Sequence, residues 1–112
     1  MLKVLNKYSD FIKTYDIVKY NVAGSSYELG FIIVFYNMSE LHVSDYVFLN
    51  GDRKYTFHFQ NRFSELIFRY DTAPHYKELA TYPYHKHLKD GNVIESNIMY
   101  LDEVLQEIVL SL

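Results

Sequence analysis

The stretch YTFHFQNRFSELIFRYD (Tyr55–Asp71) carries the pattern on which the predicted fold depends. Apolar or aromatic side chains alternate with polar ones in both halves, which is typical of two half-buried β-strands joined by a turn. We predict a two-residue connection at Arg62 and Phe63, because a slip by one residue would scatter the apolar side chains over both faces. This register pairs Phe59 with Leu66, Phe57 with Phe68, and Tyr55 with Tyr70.

The opposite face of the predicted hairpin is polar. In the same register it pairs His58 with Ile67, Thr56 with Arg69, and Lys54 with Asp71. A histidine and an arginine therefore lie on the face that leads into the following segment. The simpler interpretations are a structural role for His58 and an ion pair of Asp71 with Arg69 or Lys54.

Upstream of this hairpin the sequence predicts one helix and three strands. Apolar residues at spacings of three and four predict an amphipathic helix over residues 2–15. Alternation and β-branched composition predict strands over residues 17–22, 27–36 and 41–49. The Asn50-Gly51 pair is a strong signal for a hairpin turn after the third of these strands.

Downstream, residues 101–112 show a helical apolar stripe, with Asp102 and Glu103 in the first turn, where the helix dipole favours acids. We therefore predict an α+β fold with an antiparallel sheet of about five strands and the N- and C-terminal helices packed on one face. No repeat or linker is apparent, so we expect a single domain over residues 1–112.

The amino-acid composition excludes several classes of site and function. The 112 residues contain no cysteine, which excludes disulfides, thiolate nucleophiles and cysteine zinc sites. The net charge is −3, but residues 53–89 hold seven Lys or Arg against three acids, giving +4, and four of the five histidines. That segment suits an anionic ligand such as phosphate or RNA, or its charge is neutralised by the acidic ends of the chain within the fold.

No apolar run has the length of a membrane span, and no secretory signal is evident, so we expect a cytoplasmic location.

The segment RYDTAPHYKELATYPYHKHLKDG (Arg69–Gly91) is the site candidate. It holds both prolines and three histidines and reads as a long loop, a kind of segment that is usually functional or disordered. His85 and His87 would point the same way in an extended chain, with Lys86 pointing oppositely. Two histidines suit acid–base chemistry, and Arg69 suits phosphate binding.

Two other interpretations use the same residues. His85 and His87 with His75 or Asp71 could supply three ligands to zinc. The tyrosines of the segment could stack on RNA bases, although packing onto the sheet is the more common role of any one of them. His42, in the third strand, is interpreted as structural.

The run from Tyr55 to Gly91 resembles the TumE family of small prokaryotic toxins of type II toxin–antitoxin systems. The matching residues are His58, Arg69, Tyr70, Asp71, Ala73, Pro74, His75, Pro83, His85, Lys86, His87 and Gly91. Thr72, Tyr76 and Tyr84 depart from the family pattern, and the last two replace histidines, which weakens any metal site that would use them. The resemblance implies a toxin encoded beside an antitoxin, and by analogy with other small toxins RNA cleavage is the expected reaction.

We therefore expect a toxin that cleaves RNA by metal-independent histidine chemistry, with no cofactor and no membrane association. The predicted catalytic residues are His85, His87, His75, His58, Arg69 and Asp71. The predicted substrate-binding residues are Lys86, Tyr70, Tyr82 and Tyr84. The expected partners are a cognate antitoxin and RNA, and a homodimer is left open. The alternatives are a non-catalytic module that binds protein or nucleic acid, and a metal-dependent hydrolase.

Overall fold

The computed structural model describes residues 1–112 as an α+β fold with one antiparallel sheet, which confirms the predicted class. The elements in chain order are α1 (Leu2–Lys7), β1 (Ile12–Ala23), β2 (Ser26–Phe35), β3 (Glu40–Val47), β4 (Arg53–Gln60), β5 (Leu66–Asp71), β6 (His85–Leu88), β7 (Val93–Glu95) and α2 (Leu101–Ser111). Each strand pairs with its neighbour in the chain, so the sheet is a meander. The sheet has seven strands, whereas about five were predicted. Neither helix is long and apolar enough to cross a membrane.

The two additional strands lie in and after the segment predicted as a long loop. Residues 69–71 end β5, residues 72–84 form the loop, and β6 returns along β5 with His85 opposite Asp71. A turn in which Gly91 has a φ of 91° then leads into β7. Strands of four and three residues are too short to show a clear alternation, which explains why the sequence pattern did not reveal them.

The β4–β5 register differs from the predicted one by two residues. Phe57 pairs with Tyr70, and Phe59 pairs with Phe68. The connection is longer than predicted because the side-chain oxygen of Asn61 accepts hydrogen bonds from the backbone N–H groups of Phe63 and Glu65, at 2.9 and 3.0 Å. Since side chains alternate with a period of two, a shift of two keeps every residue on its predicted face.

The predicted N-terminal helix over residues 2–15 was wrong in its second half. Helix α1 ends at Lys7, and β1 begins at Ile12 and pairs with β2 along almost its whole length. Apolar spacings of three and four fit this region, but its β-branched residues also fit a strand, and pairing with β2 outweighs the local helical pattern.

One face of the sheet carries the hydrophobic core. Aromatic and aliphatic side chains of β2 to β5 form a single buried cluster with residues from both helices. From α2 the cluster includes Val104, Leu105 and Ile108, and from α1 it includes Leu5. The other face of β3 to β6 carries most of the polar residues of these strands, including His42, His58, Arg69 and His87.

Candidate functional site

Two rows of polar side chains cross the face of the sheet opposite the core, which we call the polar face. Strand pairing places directly opposite residues side by side on the same face of a sheet. The first row, from β3 to β6, is His42, His58, Arg69 and His87. The second row is Ser44, Thr56, Asp71 and His85. Five predicted catalytic residues thus lie on three adjacent strands: His58 on β4, Arg69 and Asp71 on β5, and His85 and His87 on β6.

Asp71 lies at the centre of these contacts, and its side chain is only 6% exposed. Oδ2 accepts a 2.9 Å hydrogen bond from Nε of Arg69 and lies 3.3 Å from Nε2 of His87. Oδ1 accepts a 3.0 Å hydrogen bond from the backbone N–H of Ala73 and lies 2.6 Å from Nε2 of His85. A single buried carboxylate therefore fixes the positions of one guanidinium and two imidazoles.

His85 is the buried member of the predicted histidine pair, with a side chain that is 1% exposed. Its Nδ1 donates a 2.9 Å hydrogen bond to the carbonyl of Pro83, because a carbonyl oxygen can only accept. The 2.6 Å contact of Nε2 with Asp71 lacks hydrogen-bond geometry, so this nitrogen is buried without a hydrogen-bond partner. The ring of Tyr76 covers His85 at a centroid distance of 4.7 Å. His85 is thus shielded from a large substrate such as RNA.

His87 and Arg69 are the accessible members of the cluster. The side chain of His87 is 25% exposed and that of Arg69 is 41% exposed. Burial lowers the pKa of His87 below its usual range, and the nearby carboxylate of Asp71 opposes this shift only in part. The arrangement presents an imidazole and a guanidinium on the surface, both held from below by Asp71.

His58 extends the site toward β3. It lies opposite Arg69 in β5 and His42 in β3, and a groove of about 320 Å³ passes these three residues. Nε2 of His58 contacts Oε1 of Gln60 at 3.1 Å, whereas its buried Nδ1 has no partner. Burial lowers the pKa of His58. His58 and His87 therefore flank Arg69, one on each neighbouring strand.

His42 was interpreted as structural, and sequence reasoning missed its place in the first row. The relevant sequence signal, the Asn50-Gly51 turn, indicates a different partner for His42. A two-residue loop at that pair would set His42 opposite Phe59, but residues 48–52 form a longer connection that sets it opposite His58. Nε2 of His42 also lies 2.9 Å from the carboxylate of Glu40.

Four predicted substrate-binding residues lie elsewhere. Tyr70 and Lys86 are on the core face, where both side chains contact the carboxylate of Glu107 in α2. Tyr84 stacks on Tyr55 with a centroid distance of 6.2 Å. Tyr82 is exposed in the loop.

His75, a predicted catalytic residue, is exposed in the loop and is not part of the central cluster. The cluster that the structure does form consists of Asp71, His85 and His87, whose potential ligand atoms all lie within 4.8 Å of one another. Of the two metal combinations considered from the sequence, this one is brought together, and the combination with His75 is not.

The comparison with family models gives a match over nearly the whole chain. The model described as Toxin TumE matches residues 1–111. No curated protein and no solved structure gives a significant match. The chain therefore belongs to the TumE family of toxins, as the segment from Tyr55 to Gly91 had indicated.

Proposed function

We propose that this toxin acts on RNA and cleaves its phosphodiester bonds at the polar face. The observation that carries the proposal is the exposed guanidinium of Arg69 next to the partly exposed imidazole of His87, with both groups held by the buried Asp71. A fixed cation can bind the phosphate and stabilise its developing charge, and a neighbouring histidine can transfer a proton during cleavage.

Arg69 is suited to bind the phosphate. Its Nε is occupied by Asp71 at 2.9 Å, so the guanidinium plane is fixed while its terminal nitrogens remain free to form the paired hydrogen bonds that phosphate accepts. Of the other Lys and Arg residues at 53–89, Arg53 and Lys86 form ion pairs with Asp45 and Glu107. Lys77 and Lys89 are exposed and could contact an extended anionic strand.

Two histidines are placed to transfer protons. His58 and His87 lie on the strands on either side of Arg69, roughly 10 Å apart if two strand spacings separate them. A phosphate held by Arg69 would have one imidazole near the attacking 2′-hydroxyl and the other near the leaving oxygen. In this proposal His85, which is buried, is a positioning residue and not the acid or base predicted from the sequence.

Metal-dependent hydrolysis is the second candidate, because Asp71, His85 and His87 form a compact ligand set. In either reaction Arg69 and His58 keep their proposed roles.

A toxin of this family is also expected to have a cognate antitoxin, and RNA as a substrate would place its action in the cytoplasm.

The test is growth of a host culture under tight induction, combined with a cleavage assay on purified chain and total RNA. We expect the unchanged chain to stop growth and to cleave RNA, and Arg69→Ala and His87→Ala to do neither at a matched soluble level. Lys3→Ala is the matched control and should keep full activity, because it removes an exposed positive charge in α1, outside residues 53–89. Full activity of both Arg69→Ala and His87→Ala would contradict the proposal.

A further inference from the structure

We infer that Asp71, His85 and His87 bind one divalent transition-metal ion, with zinc as the expected occupant. The inference rests on the proposed function and specifies its metal-dependent form, in which His87 is a ligand and not an acid or base. It begins from a chemical problem at His85. Since Nδ1 donates to the carbonyl of Pro83, Nε2 of the neutral ring carries a bare lone pair, and that lone pair lies 2.6 Å from a carboxylate oxygen.

Two electron-rich atoms at this distance repel each other unless a positive charge joins them. A proton on Nε2 would solve the problem for His85 and Asp71 alone, and it would require the two groups to face each other along the N–H direction. The contact lacks that direction, and Nε2 is buried without any hydrogen-bond partner in a side chain that is 1% exposed. A cation that accepts both lone pairs from one side fits the observed arrangement.

His87 offers a third potential metal ligand next to Asp71 and His85. Nε2 of His87 lies 3.3 Å from Oδ2 of Asp71, and the ligand atoms of all three residues lie within 4.8 Å of one another. Ligand atoms around tetrahedral zinc are roughly 3.3 Å apart, given bonds of about 2.0 Å. The three side chains could reach these distances with small movements, whereas a proton can join only two of them.

The surroundings also match those of a metal site. Histidine ligands usually donate their second ring N–H to a backbone carbonyl, which fixes the ring, and His85 does so with Pro83. Oδ2 of Asp71 accepts one hydrogen bond from Arg69 and Oδ1 accepts one from the backbone N–H of Ala73, and a carboxylate oxygen has a second lone pair, so Oδ1 can also bind the ion.

The donor set identifies the class of ion. Two imidazoles and one carboxylate suit zinc and its transition-metal neighbours, whereas magnesium and calcium prefer oxygen ligands alone. Three protein ligands leave a position for water or a substrate oxygen, as in catalytic zinc sites. This position would open toward Arg69 and the exposed edge of His87. With an ion bound, His58 is the histidine that remains free for proton transfer.

The experiment uses the full chain, purified and dialysed against a chelator, with no RNA present. Zn²⁺ is titrated by calorimetry, and Co²⁺ is titrated by its visible absorption. We expect one ion per chain, a loss of affinity of at least tenfold in His87→Ala, and unchanged affinity in His42→Ala. His42 is the matched control, because it is a partly exposed histidine in the same face outside the cluster.

A second measurement does not depend on a variant. In a nitrogen-15 NMR spectrum of the histidine rings, Zn²⁺ should shift the Nε2 signals of His85 and His87 and leave those of His42 and His75 in place. Absence of saturable binding, or binding that is equal in His87→Ala, or ring signals that do not move, would overturn the inference. RNA cleavage is measured in its own assay, so a failure of metal binding would leave the proposed function standing, with His87 as an acid or base.

Discussion

Asp71 and His85 face each other from β5 and β6, with 2.6 Å between Oδ1 and Nε2, and both side chains are almost fully buried. The carboxylate also accepts hydrogen bonds from Arg69 and from the backbone of Ala73. Asp71 therefore links the end of β5, the start of the loop and β6. Its replacement should affect the fold as well as the site.

We expect Asp71→Asn to lower the free energy of unfolding by about 1–3 kcal/mol, because the amide nitrogen would replace either the oxygen that accepts from Arg69 or the oxygen that accepts from the backbone of Ala73. Urea unfolding in excess chelator measures this without any contribution from bound metal. Asp16→Asn, at an exposed aspartate of β1, is the control and should change the stability little. Equal stability of the two variants would mean that Asp71 does not hold this region together.

Arg69→Lys tests whether the guanidinium plane matters in addition to its charge. Lysine cannot contact Asp71 and also offer two parallel donors to a phosphate, so we expect RNA cleavage to fall by roughly 10²-fold, close to the effect of Arg69→Ala. The measurement is the initial rate of cleavage of a short RNA at several salt concentrations. A lysine variant with nearly full activity would show that only the positive charge is needed.

The alternation of side chains explains which parts of the site were predictable. His85 and His87 were predicted to point the same way, and as residues of β6 they do. The same alternation separates Tyr70 and Lys86 from Arg69, so their position on the core face could have been derived from the sequence. The predicted hairpin already set Tyr70 opposite Tyr55 on the apolar face, a position that does not suit the substrate-binding role predicted for Tyr70.

Other features depend on distant parts of the chain and could not be read from local patterns. The burial of His85 results from the loop over residues 72–84, in which Tyr76 packs on the ring. The five-residue turn after β4 depends on the side chain of Asn61 and on a positive φ of 63° at Ser64. That turn sets His58 opposite Arg69, where the predicted register had Ile67.

Tyr70→Phe tests the assignment of Tyr70 to the core face. Its hydroxyl donates a hydrogen bond to Glu107, and burial, together with that acceptor, raises the pKa of Tyr70. Removing the hydroxyl should cost about 1–2 kcal/mol of unfolding free energy, because the bond is to a charged group. Cleavage of RNA per folded molecule should be retained, since Tyr70 lies on the opposite face from Arg69. If the variant has normal stability but no longer cleaves RNA, Tyr70 contributes to substrate binding and not to the core.

The contact between α1 and α2 should make stability depend on pH. Tyr8 and Lys7 both donate hydrogen bonds to the carboxylate of Asp102, and these bonds lower the pKa of Asp102 below its ordinary value of 3.8. A group whose pKa is lower in the folded state binds its proton more readily in the unfolded state. Its contribution is therefore complete above the unfolded pKa and is lost as the pH falls through the folded pKa.

We expect Asp102→Asn to be less stable than the unchanged chain at pH 7, with a difference that shrinks below pH 3.8 as Asp102 of the unchanged chain takes up a proton. Urea unfolding of both chains between neutral and acidic pH is the measurement. Asp16→Asn serves again as the control and should follow the unchanged chain at every pH. A difference between Asp102→Asn and the unchanged chain that stays constant down to acidic pH would assign the loss to packing of α1 on α2 and not to the charge of Asp102.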